Sequence, residues 1–304
     1  MSLSKKSQNN ISQDKEGQPN TSGHLTIKKS YGNNSELSNS EHSLVDAVVK
    51  IGGSTLGTND TTILDLVKLH NQGKKIVVIH GGGKLVSDWM KKQGIRPKFL
   101  KGLRVTDIKS LEIVVAVLTG LVNKQLVSEI NSNGGKAIGM SGVDGGMILA
   151  SVVNPDLGYV GKVESINSNP IVDVLESGYM PIISPVGLNC DSTADNIDKI
   201  SSMLNINADT VAGYISAALK SKRMIFLTDV QGVLDSSKRL ITRLTTNQAE
   251  SLVRSKVIAG GMIPKLEACL KATDEGALAQ IIDGREPDAL ENVINGNNLG
   301  TKIG

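Results

Sequence analysis

Two lysines stand where a fixed positive charge would meet an anion. Lys50 closes the apolar run of VVKIGGS, just ahead of Gly52 and Gly53. Lys265 follows the glycine pair of IAGGMIPK, near a helix start. Glycines in such turns let backbone N–H groups approach an anion closely, and a lysine adds a point charge beside them. A second glycine run, Gly81, Gly82 and Gly83 of VVIHGGGK, links a strand to a helix, whose uncluttered N-terminus is an anion site. Arg104 in GLRVTD, read as a loop before a long helix, offers a planar fork for a carboxylate. In LNINADTVAG the polar residues Asn205, Asn207 and Asp209 crowd a helix entry, and capping accounts for one of them. Thr228 and Asp229 end the strand in FLTDVQGV.

Each feature alone has an ordinary explanation, such as a solvated lysine, a surface ion pair or, for His80, a packing role. Their shared placement at strand ends points to chemistry, because open α/β sheets bind ligands beyond the carboxyl ends of their strands. The chain contains no GxxxxGKS or GxxxxGKT, so it is not a P-loop ATPase. No GxSxG follows the HGGG, which removes the α/β-hydrolase reading.

The elements that must position these residues alternate. Val45–Ile51 reads as a strand. The segment TNDTTILDLVKLHNQG reads as a helix capped by Asp60 or Thr61 and ended by Gly73. A buried strand runs into HGGG, and a long helix is expected from Asp107 to about Asn131, with Leu111, Val114, Val115, Leu118 and Val122 at helical spacing. Strand-then-loop patterns recur in AIGMSGVDGG, YMPIISPVG, RMIFLTDVQGV and LAQIIDGR. The fold class expected is α/β, a mainly parallel sheet with helices on both faces.

Composition bounds the rest. The 304 residues are 39% hydrophobic, enough for a full core, and the formal net charge of +3 argues against a nucleic-acid or membrane-surface partner. The two cysteines, Cys190 and Cys269, make neither a disulfide framework nor a zinc site and fit a reducing cytoplasm. No run of about 18 apolar residues reads as a membrane span. The first residues lack a signal-peptide core. They also lack the arginines of a transit peptide, Arg96 being the first, and Asp14 and Glu16 intrude. Residues 1–44 are rich in Ser, Asn, Gln, Gly and Lys, and read as a disordered tail.

In order, VVKIGGS, HGGG, GLRVTD, SGVDGG, NINADTVAG, LTDVQGV and GGMIPK resemble the motifs of the amino-acid kinase family, from about residue 46 to the end. GLRVTD with NINADTVAG is most similar to members that phosphorylate N-acetyl-L-glutamate with ATP in arginine biosynthesis. The resemblance implies a three-layer αβα sandwich, with residues 45–187 forming an acid-binding lobe with the dimer contact and 188–304 an ATP-binding lobe. It implies that Lys50 and Lys265 neutralise charge on the phosphoryl group and its leaving side while Asp209 orients both. Gly82, Gly83, Arg104 and Asn205 would hold the acid. Gly52, Gly53, Thr228, Asp229 and Met262 would line the nucleotide site, and Gly81 would add a backbone donor. Mg²⁺ would bridge the phosphates with few protein ligands. A γ-carboxylate is already ionised at neutral pH, with a pKa of ~4, so no general base is needed. Placed positive charge is the requirement.

Departures from the pattern matter. LNCDSTADNIDKISSML, within residues 188–204, looks like an insertion where relatives have a short hairpin. The tail lacks the amphipathic helix of arginine-inhibited, ring-forming members. Asp288 replaces their histidine and Leu121 a frequent lysine, although NNLGTKIG resembles their ending. These departures weigh against arginine feedback and favour a homodimer. A PII-type signalling partner has no residue here that points to it. Two other readings remain open at this point: a kinase of the same fold for another acid (aminoadipate-type, carbamate or aspartate) or a nucleotide, and a catalytically silent regulatory subunit.

Overall fold

The computed structural model describes residues 44–52, 61–191, 199–255, 258 and 260–304. Residues 1–43 of the expected tail, Gly53 and Asp60 therefore lie outside the described residues, as does most of the loop within 188–204.

In chain order the strands are β1 (Ala47–Ile51), β2 (Ile76–His80), β3 (Phe99–Leu100), β4 (Leu103–Arg104), β5 (Ala137–Ser141), β6 (Ile148–Val152) and β7 (Val160–Ile166). They continue with β8 (Met180–Ser184), β9 (Val186–Asn189), β10 (Met203–Ile206), β11 (Arg223–Thr228), β12 (Arg243–Leu244), β13 (Leu278–Asp283) and β14 (Thr301–Ile303). The helices are α1 (Thr62–Asn71), α2 (Gly83–Lys92), α3 (Ile108–Val115), α4 (Asn123–Ser132) and α5 (Asn169–Glu176). After them come α6 (Ala208–Ala218), α7 (Thr246–Arg254), α8 (Met262–Thr273) and α9 (Ala289–Ile294).

The main sheet has the order β12-β14-β13-β11-β1-β2-β8-β5. It is parallel from β5 to β13, and β14 joins antiparallel. Strand β1 (AVVKI) is central and buried at every position, because helices cover both faces, so a run of β-branched residues replaces the alternation of a half-exposed strand. Period-two geometry divides the core. Val48, Val77, Met224, Phe226 and Ile281 pack with α5, α6 and α8 on one face. Ala47, Val49, Ile51, Val78, Ile225 and Ile282 pack with α1, α2, α3, α4 and α9 on the other. Each Val, Ile, Met or Phe side chain among these, fully buried, stabilises by ~1.5–3 kcal/mol. The same alternation sends Lys50 to the α6–α8 face and His80 to the α4 face.

Three features differ from the sequence expectations. Strands β6, β7, β9 and β10 close into a separate small barrel. Arg104, expected in a loop, is in strand β4 of a tight hairpin, paired with Phe99 of β3. Thr61 precedes α1 without capping it through its side chain, and its Oγ1 instead accepts from the Asp288 N–H at 2.9 Å. The loop within 188–204 opens from a hairpin, since β9 and β10 pair antiparallel on either side of it.

The expected long helix is continuous from Ile108 to Ser132, with a π segment over Ala116–Val122 joining α3 to α4. Thr119 Oγ1 donates to Val115 O at 2.8 Å inside that segment, a back-bond that loosens the α-helical ladder. The helix is long and apolar enough to cross a membrane by length and composition. Here its Leu111, Val114, Leu118, Val122, Leu126 and Ile130 are buried against the sheet, which accounts for that apolarity as core.

Candidate active site

β1 and α6 together place the central ion cluster. Asn207 caps α6, its Oδ1 accepting from the Asp209 and Thr210 N–H groups at 2.8 and 3.1 Å. That cap turns Asp209, in the first helical turn, towards β1. Lys50 Nζ lies 2.7 Å from Asp209 Oδ1, an ion pair outside hydrogen-bond alignment. Lys265 Nζ, from the first turn of α8, donates to Asp209 Oδ2 at 2.7 Å. Lys50 and Asp209 are each only 6% exposed. A buried charge without a partner costs several kcal/mol, so the three groups depend on one another. Burial disfavours the Asp209 carboxylate, but both ammonium groups outweigh it and hold its pKa below the usual range. Burial lowers the pKa of Lys50, with Lys265 adding to the shift and Asp209 opposing it.

The glycine turn lies beside this cluster, because β1 and β2 are parallel neighbours with Ile51 opposite His80. Gly52 N–H donates to Leu227 O at 3.2 Å and Gly81 N–H to Ile51 O at 3.1 Å, so both amides continue the sheet ladder. The N–H groups of Gly82 and Gly83 open α2 and meet no acceptor among the described residues. Gly82 has φ +155°, which strains any residue with a side chain, and a Cβ there would stand 2.6 Å from Leu118 Cδ2, so Leu118 would also have to shift.

His80 holds this turn from below. Its Nδ1–H donates to Gly81 O at 2.8 Å, while Nε2 accepts from Asn123 Nδ2 at 3.2 Å. Burial pushes its pKa down to about 4, so the ring is neutral and serves as a strut, not a base. Asn123 also donates to Ile182 O at 2.8 Å, tying the turn to β8.

Arg104 is pre-set. Its NH2 donates to Gly83 O at 2.7 Å and to Ser87 Oγ at 2.8 Å, and NH1 to Met90 Sδ at 3.2 Å. The guanidinium lies 4.8 Å from the centroid of the Phe99 ring. Thr106 joins Arg104 to Asn205, since Asn205 Nδ2 donates to Thr106 Oγ1 and that hydroxyl donates to Arg104 O. The three polar residues of NINAD thus have three tasks: Asn205 faces the hairpin, Asn207 caps, and Asp209 binds the lysines.

Thr228 ends β11, its single hydroxyl proton shared between Val230 O at 2.9 Å and Ile282 O at 3.1 Å, which shapes the turn after the strand. Asp229 is exposed beyond it, close enough to favour the charged form of Lys50. Met262 opens α8, one turn ahead of Lys265. The structure therefore brings Lys50, Asp209 and Lys265 into contact and links Arg104 to both Gly83 and Asn205. Sequence reasoning missed Ser87, Phe99, Thr106 and Asn123, whose roles come from contacts across the fold. Thr106 alone carried a local signal, as the hydroxyl two residues after Arg104.

Residues 47–283 match the sequence profile of the Amino acid kinase family. An acetylglutamate kinase of Dehalococcoides mccartyi is 41% identical over 256 residues, covering 84% of this chain and 93% of that protein. One from Methanothrix thermoacetophila is 43% identical over 258 residues, covering 80% and 86%. Among solved structures, smu.665 from Streptococcus mutans superposes with a TM-score of 0.69 at 28% identity, covering 84% of this chain and 97% of the other.

Proposed function

Since the chain belongs to the amino acid kinase family, we propose that it transfers the γ-phosphoryl group of ATP to the side-chain carboxylate of N-acetyl-L-glutamate, a step of arginine biosynthesis. The observation that carries this reading is the pair of ammonium groups on one buried carboxylate, beside a glycine turn with two open N–H groups. The acid's carboxylate oxygen attacks the γ-phosphorus as the bond to the β–γ bridging oxygen breaks, and ADP leaves with that electron pair. No proton moves. The barrier is the approach of an anion to a polyanion, which fixed positive charge and open amides lower.

Lys50 neutralises the transferring group, Lys265 the leaving side, and Asp209 sets the position of both. Gly82 and Gly83 supply amides, while Arg104 and Asn205 hold the acid's α-carboxylate and amide. Gly52, Thr228, Asp229 and Met262 line the nucleotide site. Residues 45–187 form the acid lobe and 188–304 the ATP lobe, in a cytoplasmic homodimer.

The donor set does not fit a resident metal. Asp209 is occupied by two lysines and Asp283 by Arg285. Among the described residues the one metal-like carboxylate group, Asp65, Asp288 and Glu291, sits between α1 and α9. Magnesium is therefore read as part of the nucleotide substrate.

A hydroxylamine-trapped acyl-phosphate assay with ATP and Mg²⁺ tests the reading, with N-acetyl-L-glutamate, glutamate, aspartate and aminoadipate compared. Strong preference for the acetylated acid is expected. Preference for another acid would move the chain to a different substrate. No product from folded, ATP-binding protein would favour a silent subunit.

A further inference from the structure

We propose that Thr106 is a positioning residue that fixes the acid-binding groups of Arg104 and Asn205 relative to each other. The proposal rests on the acid-kinase reading above. Thr106 is fully buried between β4 and α3. Its backbone is held on both sides, its N–H donating to Leu157 O at 2.9 Å and its carbonyl accepting from Tyr159 N–H at 2.8 Å. It bridges in parallel to Gly158, which has φ +67° and where a Cβ would stand 2.3 Å from Thr106 O. Only glycine lets the two segments come this close.

The hydroxyl is thereby brought to a fixed point between two separate sheets. A threonine hydroxyl has one proton to give. That proton goes to Arg104 O at 2.9 Å, so the oxygen can only accept from Asn205 Nδ2, 3.2 Å away. The Asn205 amide is then orientated, with Nδ2 towards Thr106 and Oδ1 turned away. Asn205 is itself anchored beside Thr106, its N–H donating to Tyr159 O at 3.0 Å. The guanidinium of Arg104 is held separately, by Gly83 and Ser87. One hydroxyl thus orients an amide on the barrel against the backbone of the hairpin that carries the carboxylate fork, and completes the spacing between the two. A bound acid bearing a carboxylate and an amide must match that spacing, so Thr106 acts on binding of the acid and not on the nucleotide.

Thr106→Val keeps the bulk and removes both hydrogen-bond roles, whereas Thr106→Ser keeps both roles. The expected result for Thr106→Val is a KM for N-acetyl-L-glutamate raised about tenfold, with kcat and the KM for ATP changed less than about twofold. Thr106→Ser should restore the wild-type KM. Thr106→Ala gives the same readout if the valine chain does not fold. A wild-type KM in folded Thr106→Val, or an equal change in both KM values, overturns the proposal. If the wild-type chain phosphorylates a different acid, the functional reading falls, and the same variants measured on that acid still judge Thr106. If it phosphorylates none, crystal structures decide: a turned Asn205 amide in Thr106→Val supports the role, and unmoved Arg104 and Asn205 side chains overturn it.

Discussion

Lys50 and Lys265 bind opposite oxygens of a single buried carboxylate, each at 2.7 Å, although one comes from the first strand of the sheet and the other from a helix near the end of the chain. Two like charges are brought together only because Asp209 lies between them. Their attraction to it offsets their mutual repulsion and leaves a net positive site for a polyanion.

The carboxylate is the first point to test. Asp209→Asn keeps the shape but leaves the Lys50 ammonium buried without a counter-charge. Breaking such a pair costs ~3–5 kcal/mol, and partial neutralisation of Lys50 would soften the loss to roughly 2–4 kcal/mol. Urea unfolding should show this loss, together with a kcat reduced ~100-fold or more. Unchanged stability would mean that the cluster is not coupled as its geometry implies.

Lys265 is the more exposed lysine, and its charge is needed mainly as negative charge develops on the leaving phosphate. Lys265→Ala should lower kcat by ~100-fold while the KM for N-acetyl-L-glutamate stays within about threefold. Steady-state kinetics with both substrates varied checks this. Turnover at the wild-type rate would remove the role.

Arg104 has its geometry set by Gly83, Ser87, Met90 and Phe99 before any ligand arrives. Lysine cannot reproduce a fork that makes several bonds at once. Arg104→Lys and Arg104→Ala should both raise the KM for N-acetyl-L-glutamate at least ~10-fold and leave that for ATP nearly unchanged. Equal effects on the two substrates would assign Arg104 elsewhere.

Two buried groups set opposing pH dependences of stability. Burial beneath α9 pushes the Asp65 carboxyl up to about 6, against the Glu291 and Leu290 N–H groups it accepts from, and with Asp288 and Glu291 nearby. In the unfolded chain it titrates at ~4, so the folded state holds this proton more tightly. Its contribution is full below pH ~4 and is lost as pH rises through about 6. His80 behaves oppositely: burial lowers it to about 4, below the ~6.5 of a free imidazole. Its contribution is complete above pH ~6.5 and is lost as pH falls through about 4. Between those values the two contributions, each roughly 2–3 kcal/mol, largely cancel. Asp65→Asn should therefore lose stability with acid faster than wild type, and His80→Asn more slowly. Urea midpoints from pH ~4 to ~7 for the three chains check this, and identical slopes would contradict both assignments.

The amino-acid sequence by itself determined the alternating α/β architecture, because buried parallel strands require apolar runs and each was followed by the glycines or polar residues of a strand-end loop. It determined which residue types gather there, since Lys50, Gly82, Gly83, Asp209 and Lys265 stand out locally against apolar surroundings. That one of Asn205, Asn207 and Asp209 caps a helix was legible for the same reason, and the structure gives that task to Asn207. Only the tertiary structure decided what these residues touch. The direction of Lys50 follows from which face of β1 meets α6. The hairpin that seats Arg104 is too short to show a period. The closed barrel arises from pairings such as Asn205 with Val160 that join distant segments. Nothing near His80 in the chain announces Asn123 as its partner. Local pattern reports the backbone's preference over a few residues, whereas a buried polar group takes its partner from whatever the fold packs against it.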